Sequence, residues 1–335
     1  MKTGKLPGNF LSNLLGNIKS DETVLIGPKL GMDGAIIKPE NDLLVVVSDP
    51  ITFETDNIGY YSLAVNANDI AVMGGEPKYF LATILLPPNT NEMEIQEIFN
   101  NLLSACNNLN IFLIGGHTEI TSSVTRPVIN GTMLGKSLAL PKPKEVLEGD
   151  ILLQINPVAI EGTAILATSG KEVLKKATIS DSVIQKGYSY FENLGICIAN
   201  PAKIALKSSE NGILLMHDPT EGGICAAISE MAYAIEKQIC VYKEKIMILE
   251  ECKFFCEALG LNPLGLIASG SLLIIAKKDE SYKIKKSLNE SKYEVSEIGF
   301  ITNISTTSSE QAFWKDTEED YPVFERDEIA RFFDE

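Results

Sequence analysis

Two stretches of this chain bring hard oxygen donors to the ends of apolar runs. One reads Asn66-Ala67-Asn68-Asp69-Ile70-Ala71-Val72-Met73-Gly74-Gly75, and the other reads Gly115-Gly116-His117-Thr118-Glu119 after the apolar Ile111-Phe112-Leu113-Ile114. Upstream, Gly31-Met32-Asp33-Gly34-Ala35 and Ser48-Asp49-Pro50 add two carboxylates at the edges of apolar runs. Downstream, His217-Asp218-Pro219-Thr220-Glu221-Gly222-Gly223 makes a polar turn before an apolar stretch. Magnesium takes oxygen ligands and commonly meets phosphates through one or two carboxylates. Phosphoryl transfer asks a protein mainly for positioning and charge neutralisation. The dispersed set Asp33, Asp49, Asp69 and Glu119, set beside glycine turns, fits that chemistry and points to a magnesium nucleotide.

Each piece also has a plainer reading. Asp49-Pro50 and Asp33-Gly34 can simply begin turns. His117 could ligate a metal, contact a phosphate or hydrogen-bond Glu119. Gly222-Gly223 opens a helix whose free amides favour an anion, or the turn is a helix cap made by Thr220 or Asp218. The chain has no G-x-x-x-x-G-K-[ST] loop, no G-x-G-x-x-G and no nucleophile signature around a serine or cysteine.

The elements that must position these residues follow from apolar periodicity. Residues 43–47 read as a buried strand with Asp49 just past its end. Residues 58–74 read as a helix stopped by Gly74-Gly75, with Pro77 beyond. On it Ser62, Asn66 and Asp69 form one polar line beside Leu63, Ala67, Ile70 and Gly74. A solvated helix face normally carries Lys and Glu, and this line has neither, which favours a site. Residues 79–86 are a strand, and 92–109 a helix opened by an Asn91/Glu94 capping box. Its apolar stripe includes Ile95, Ile98, Leu102, Cys106 and Leu109. The strand 111–114 then delivers Gly115 to Glu119, and 127–134 is another strand.

Pro141 and Pro143 in a charged stretch mark a linker over 138–149, which separates a first domain, 1–137, from a second, 150–335. In the second, 151–155, 213–216 and 271–276 read as strands and 224–235 as a helix. The acidic final residues read as a terminal helix packed by Phe332 and Phe333. Strands and helices alternate irregularly, so the class is α/β or α+β.

The net charge of −16 over 335 residues argues against nucleic acid, whose phosphates demand a Lys/Arg surplus. It leaves room for ATP, whose charge magnesium and backbone amides can meet. The amino terminus lacks a signal-peptide apolar region, and no apolar run is long enough for a membrane span. Cys106, Cys197, Cys225, Cys240, Cys252 and Cys256 are scattered without a C-x-x-C pair, as expected for reduced thiols in a cytoplasmic protein.

With these motifs in order, the chain resembles the AIR synthetase-related superfamily of ATP-binding proteins. That superfamily includes thiamine-monophosphate kinase, selenophosphate synthetase and the HypE-like proteins of hydrogenase maturation. The resemblance is carried by Gly4-Lys5-Leu6-Pro7, Gly27-Pro28, Gly31 to Ala35, Ser48 to Ile51, Asn66 to Gly74, Gly115 to Glu119, Glu161-Gly162-Thr163-Ala164, Asp218 to Gly223 and Ser269-Gly270-Ser271. It is strongest toward the HypE-like proteins. It implies a two-domain protein that forms a homodimer, with the N-terminal domains pairing into a β-barrel. ATP would lie near the dimer interface, against a C-terminal α/β domain.

The implied activity is Mg-ATP-dependent phosphorylation of an oxygen, on a small molecule or on a partner's carboxamide. On this resemblance Asp33, Asp49 and Asp69 would hold Mg²⁺. Lys5, Asn66, Asn68, Gly115, Gly116, Thr118, Thr220, Gly222 and Gly223 would contact the nucleotide, and Asp218, His117 and Glu119 would act in catalysis. His117 stands where relatives often carry an acidic metal ligand, and Glu221 where HypE usually has Arg. HypE dehydrates a carboxamide on its own C-terminal cysteine. No cysteine follows Cys256 here, so the acceptor is expected from outside the chain. Met32-Asp33 replaces the adjacent aspartates usual in thiamine-monophosphate kinase. The alternatives are a nucleotide-binding accessory protein without turnover and a thiamine-monophosphate-type kinase.

Overall fold

The structure is a computed structural model that describes residues 22–27, 29, 32, 35–38, 43–52, 57–303, 311–317 and 319–334. Lys5 and Asp33, both expected at the nucleotide, lie outside the described residues. The chain forms two compact units that change over between Leu140 and Pro141.

The first unit holds one mixed sheet. Its strands are β1 (Val24–Ile26), β2 (Ala35–Ile37), β3 (Leu44–Ile51), β4 (Gly75–Leu86), β5 (Phe112–Ile120) and β6 (Val128–Ser137), ordered β1-β2-β3-β6-β4-β5. Neighbours run antiparallel except β4 and β5. A parallel pair needs a crossover, and helix α2 (Glu92–Leu109) supplies it. The expected capping box opens α2: the Asn91 side chain accepts the Glu94 N–H at 3.0 Å, and the Glu94 carboxylate accepts the Asn91 N–H at 2.9 Å.

Helix α1 (Ile58–Val72) packs on β3, β6 and β4 and also against α2. It is buried nearly all round, including Ser62, Asn66 and Asn68, so the polar line is an interior one. It crosses α2 closely because residue 59 is glycine. A Cβ there would meet the Leu102 backbone nitrogen at 2.6 Å. The helix stops where Gly74 adopts φ +76°, a conformation costly for other residues.

Two boundaries differ from the sequence expectation. β3 runs on to Ile51, so Asp49 lies inside a strand and pairs with Gly131. β5 continues through Gly115 to Ile120, so the segment 115–119 is strand and not a turn. In both places the ladder hydrogen bonds of a neighbouring strand outweigh the local signals of Pro50 and Gly115-Gly116.

The second unit carries β7 (Ile151–Ile155), β8 (Ile213–His217), β9 (Gln238–Val241), β10 (Leu272–Ala276), β11 (Val295–Thr302) and β12 (Ala312–Trp314), ordered β12-β9-β11-β7-β10-β8. Every residue of β7, β9 and β10 is buried, the pattern of strands covered on both faces. Its helices are α3 (Ile160–Ser169), α4 (Lys171–Lys176), α5 (Asp181–Asn193), α6 (Ala199–Ser208), α7 (Gly223–Ile235), α8 (Glu250–Leu259), α9 (Ser281–Glu290) and α10 (Glu328–Asp334).

β7 and β8 both run antiparallel to the β10 that lies between them. Their C-terminal ends therefore meet the N-terminal end of β10 at one sheet edge. Helix α10 is the expected terminal helix, but it docks through Glu328 and Ile329, while Phe333 is 58% exposed. Among the described residues all six cysteines are free. The mixed α/β class expected from the sequence is the one observed.

The capping box makes a stability prediction. Asn91→Ala removes the acceptor for the Glu94 amide, and unfolding in urea followed by a first-unit probe should show a loss of about 1 kcal/mol. No change would mean that water replaces the cap without cost.

Candidate functional site

The first unit's candidate residues sit on β3, α1 and β5. Asn66 points from α1 into β3. Its Oδ1 accepts the Asp49 N–H at 3.1 Å, and its Nδ2 donates to the Asp49 carbonyl at 3.0 Å and to the Ser62 carbonyl at 2.8 Å. Asn66 is fully buried, and its hydrogen-bonding groups are occupied by main chain. It therefore fixes the position of Asp49, a role other than the nucleotide contact that the resemblance implied. Gly131 makes room for this grip, because a Cβ there would collide with the Asn66 Nδ2 and with the Phe80 ring. Asp69 is half-buried near the end of the same helix, and Asn68 is fully buried.

Strand register sets how far apart the acidic groups lie. Asp49 pairs with Gly131, Gly131 with Ala82, and Ala82 with Gly116. Asp49 and Gly116 thus stand on one line across four strands, about 14 Å apart at ~4.8 Å per step. Glu119 is farther along β5. One ion with ligand distances near 2 Å cannot be shared by Asp49 and Glu119 of the same unit. Among the described residues no three His, Cys, Asp or Glu side chains form a metal-holding group.

On β5 the side chains of His117 and Glu119 share a face, as residues two apart on a strand must. The His117 Nε2 lies 3.1 Å from the Glu119 Oε2, and both are solvent-exposed. Thr118 sits on the opposite face. The backbone skips a residue at Ile114, where Phe80 pairs with Leu113 and Leu81 with Gly115, a bulge. Gly116 then passes so close to β4 that a Cβ would collide with the Ala82 carbonyl, whereas a Cβ on Gly115 would meet nothing. Gly116 is therefore needed for strand approach, whatever it binds.

The second unit's residues gather at the sheet edge made by β7, β8 and β10. Asp218 follows β8 and is 2% exposed. His217, also buried, holds the Glu230 carboxylate of α7 at 2.9 Å through Nε2. Across the edge, the Asn156 Nδ2 donates to the Gly270 carbonyl at 3.1 Å and the Ser271 hydroxyl to the Pro157 carbonyl at 2.7 Å. Thr220 is half-buried, and its carbonyl accepts the Gly223 N–H at 3.1 Å. Gly222 and Gly223 have φ of +83° and +65°. The Cys197 thiol is pushed up to about 11 by burial, with the Asp218 charge adding to the rise, so it stays protonated at neutral pH.

The amide expected to await an anion is already engaged. The Gly222 N–H donates to the Asp327 Oδ2 at 2.6 Å, while the Asp327 Oδ1 accepts from Ile329 at 2.7 Å and Ile267 at 3.1 Å. Burial, and then the Glu221 charge, raise this carboxyl to about 6 against the pull of its three amide donors. Sequence reasoning missed Asp327. Its place just before α10 is a helix-cap signal, but its reach to Gly222 is not local. It also left Glu161 without a role. That carboxylate is 1% exposed in the first turn of α3, and a Glu in the apolar run 158–167 was the available signal.

The Asn66 grip predicts a defined loss. Asn66→Ala takes these partners from the half-buried main chain of Asp49 and the buried carbonyl of Ser62, and should cost the first unit roughly 2–4 kcal/mol in chemical unfolding. A change under about 0.5 kcal/mol would show that the grip is dispensable.

Residues 31–137 match the N-terminal domain of AIR synthase related proteins, and residues 148–308 match their C-terminal domain. The chain is 25% identical over 284 residues to a putative hydrogenase expression/formation protein of Methanocaldococcus jannaschii, a match covering 82% of this chain and 76% of that protein. It is 25% identical over 239 residues to the carbamoyl dehydratase HypE of Bradyrhizobium diazoefficiens, covering 68% and 64%. It is 27% identical over 212 residues to the thiamine-monophosphate kinase of Buchnera aphidicola, covering 60% and 62%. Among solved structures, the HypE–HypF complex is similar in fold with a TM-score of 0.70 at 17% identity, covering 87% of this chain and 92% of that one. HypE in complex with ATP matches with a TM-score of 0.68 at 18% identity, covering 90% and 91%. With both domains matched in order over most of its length, the chain belongs to the AIR synthase-related family.

Proposed function

We propose that this protein is an ATP-dependent enzyme that activates an oxygen by phosphorylation, on a small molecule or on a partner's carboxamide. The observation that carries the reading is the fold match along nearly the whole chain to HypE in complex with ATP. Asp49 and Asp69, with Asp33, would hold magnesium. Few carboxylates suffice, because Mg²⁺ commonly relies on one or two of them together with substrate phosphates. When bound, the ion offsets phosphate charge. Asn66 keeps Asp49 in register, while Gly115, Gly116 and Thr118 on β5 meet the far end of the nucleotide or one bound by a second copy. His117 and Glu119 hold and move a proton between the imidazole Nε2 and the carboxylate. Taken by itself, the second unit offers Thr220, Gly222 and Gly223 as the phosphate-facing turn that the resemblance implies, and Asp218 as the group that orients an acceptor.

A homodimer belongs to this reading. Among the described residues β5 is the last strand of its sheet, and Phe112, Ile114 and Ile120 on it are 51%, 56% and 57% exposed. An unpaired apolar edge strand invites a partner strand, and we propose that a second copy covers it. No helix among the described residues is long and apolar enough to cross a membrane. The free cysteines support a cytoplasmic location. A second reading, a kinase of the thiamine-monophosphate type, is favoured by the similarity to that kinase of Buchnera aphidicola.

Two outcomes follow. Incubated with γ-labelled ATP, Mg²⁺ and pools of small-molecule or carbamoylated acceptors, the protein should release ADP and leave a phosphorylated or dehydrated product visible by mass spectrometry. Folded protein that never forms ADP across such pools would instead favour the accessory-protein reading. Ile114→Lys should convert a dimer to monomers in sedimentation velocity without lowering the melting temperature of the monomer. An unchanged mass would remove β5 from the interface.

A further inference from the structure

Asp327 stands at the junction of three segments that are far apart in sequence. It is 7% exposed. One carboxylate oxygen accepts the N–H of Gly222, in the turn after β8. The other accepts the N–H of Ile267, in the segment leading to β10, and that of Ile329, in its own helix α10. The Ile267 peptide is bonded on both sides, since its carbonyl accepts the Gly162 N–H at 3.2 Å from the first turn of α3. Through that peptide the carboxylate is linked to the segment bearing Glu161. The turn it grips has little slack of its own. Gly223 packs so tightly that a Cβ would meet the Leu264 carbonyl at 2.5 Å.

The neighbouring residue does separate work. The Glu328 Oε2 accepts the Asn262 N–H at 2.7 Å, and both its oxygens bind the Arg331 guanidinium. α10 therefore has an attachment that does not depend on Asp327, and the Asp327 carboxylate is aimed at the edge of the sheet.

We propose that Asp327 is a positioning residue, whose buried carboxylate ties the Asp218–Gly223 turn to the Ile267–Ser271 segment and so sets where Asp218 stands. The proposal rests on the reading of Asp218 as an acceptor-orienting group. It gives the carboxy-terminal helix a part in activity although no side chain of α10 is placed at the reacting atoms. It also means that a phosphate brought to this turn must use donors other than the Gly222 amide.

The test uses the full chain and the variants Asp327→Asn, Asp327→Ala and Glu328→Gln, with hydrogen exchange of individual amides and steady-state turnover of Mg-ATP. Asparagine keeps one oxygen, which goes to the site with two donors, Ile267 and Ile329. Its NH₂ then faces the Gly222 N–H, donor against donor. Asp327→Asn should therefore speed Gly222 exchange by about tenfold or more and leave Ile267 within about twofold, while Asp327→Ala opens both. Glu328→Gln should leave both protected.

In turnover, Asp327→Asn should lower kcat about tenfold with little change in KM for Mg-ATP, while Glu328→Gln, assayed at the same temperature below the melting transition of both variants, keeps its kcat. Unchanged Gly222 exchange in Asp327→Asn, or an equal loss of kcat in Glu328→Gln, would overturn the proposal. In the unmodified protein, Gly222 and Ile267 should exchange through one common opening, so the coupling is decided even if a variant does not fold. Absence of ATP turnover in the unmodified protein counts against the enzymatic reading alone, because the exchange data stand without it.

Discussion

A main-chain N–H or carbonyl taken out of water must find a partner, and an orphaned one costs about 1–3 kcal/mol. Both candidate regions of this protein are built around a buried side chain that answers this demand. In the first unit Asn66 meets the N–H and carbonyl of Asp49 from a helix that is buried nearly all round. In the second, Asp327 meets three amides at the edge of the sheet. In the first unit the group that could do chemistry, Asp49, is held by Asn66; in the second, Asp327 holds the turn that carries Asp218 at the amide of Gly222. Gly131 and Gly223 are part of the same arrangement, since any side chain at either would collide with what lies opposite.

Much of the fold was legible in local sequence. The Asn91/Glu94 box, the apolar run of β7 and the stop of α1 at Gly74 are contained within a few residues each, and each is where periodicity and capping place it. Legibility failed where tertiary pairing decided. Pro50 and Gly115-Gly116 look like strand ends, yet β6 and β4 supply ladders that carry β3 and β5 past them. Phe332 and Phe333 suggest the docking face of the last helix; Phe332 is half-buried close to Gly170, but Phe333 is exposed and Ile329 and Glu328 are the buried residues. The absence of Lys and Glu from the Ser62-Asn66-Asp69 line pointed, in sequence, to a site, whereas burial of the helix nearly all round accounts for it without a ligand. What the line does, gripping β3, depends on a strand that the sequence does not place opposite it.

The same register limits the chemistry. Three strand spacings between Asp49 and Gly116 place the α1/β3 carboxylates and the His117–Glu119 pair at separate stations on one sheet. An ion held by Asp49 is therefore out of reach of Glu119 in the same unit, and β5 would serve the far end of a bound nucleotide or another copy's site. Net charge −16 adds to the need for a cation beside ATP, because bringing phosphates to an acidic surface without one is unfavourable at separations within a Debye length of ~8–10 Å.

The central claim is that these carboxylates bind ATP through a divalent cation. Titration calorimetry of ATP into the protein, with Mg²⁺ and then with excess EDTA, tests it most directly when repeated on Asp49→Asn. The account predicts measurable binding with Mg²⁺, a loss of tenfold or more in EDTA (about 1.4 kcal/mol), and a comparable loss in Asp49→Asn with Mg²⁺ present. Equal affinity with and without the ion, or full affinity in Asp49→Asn, would contradict it.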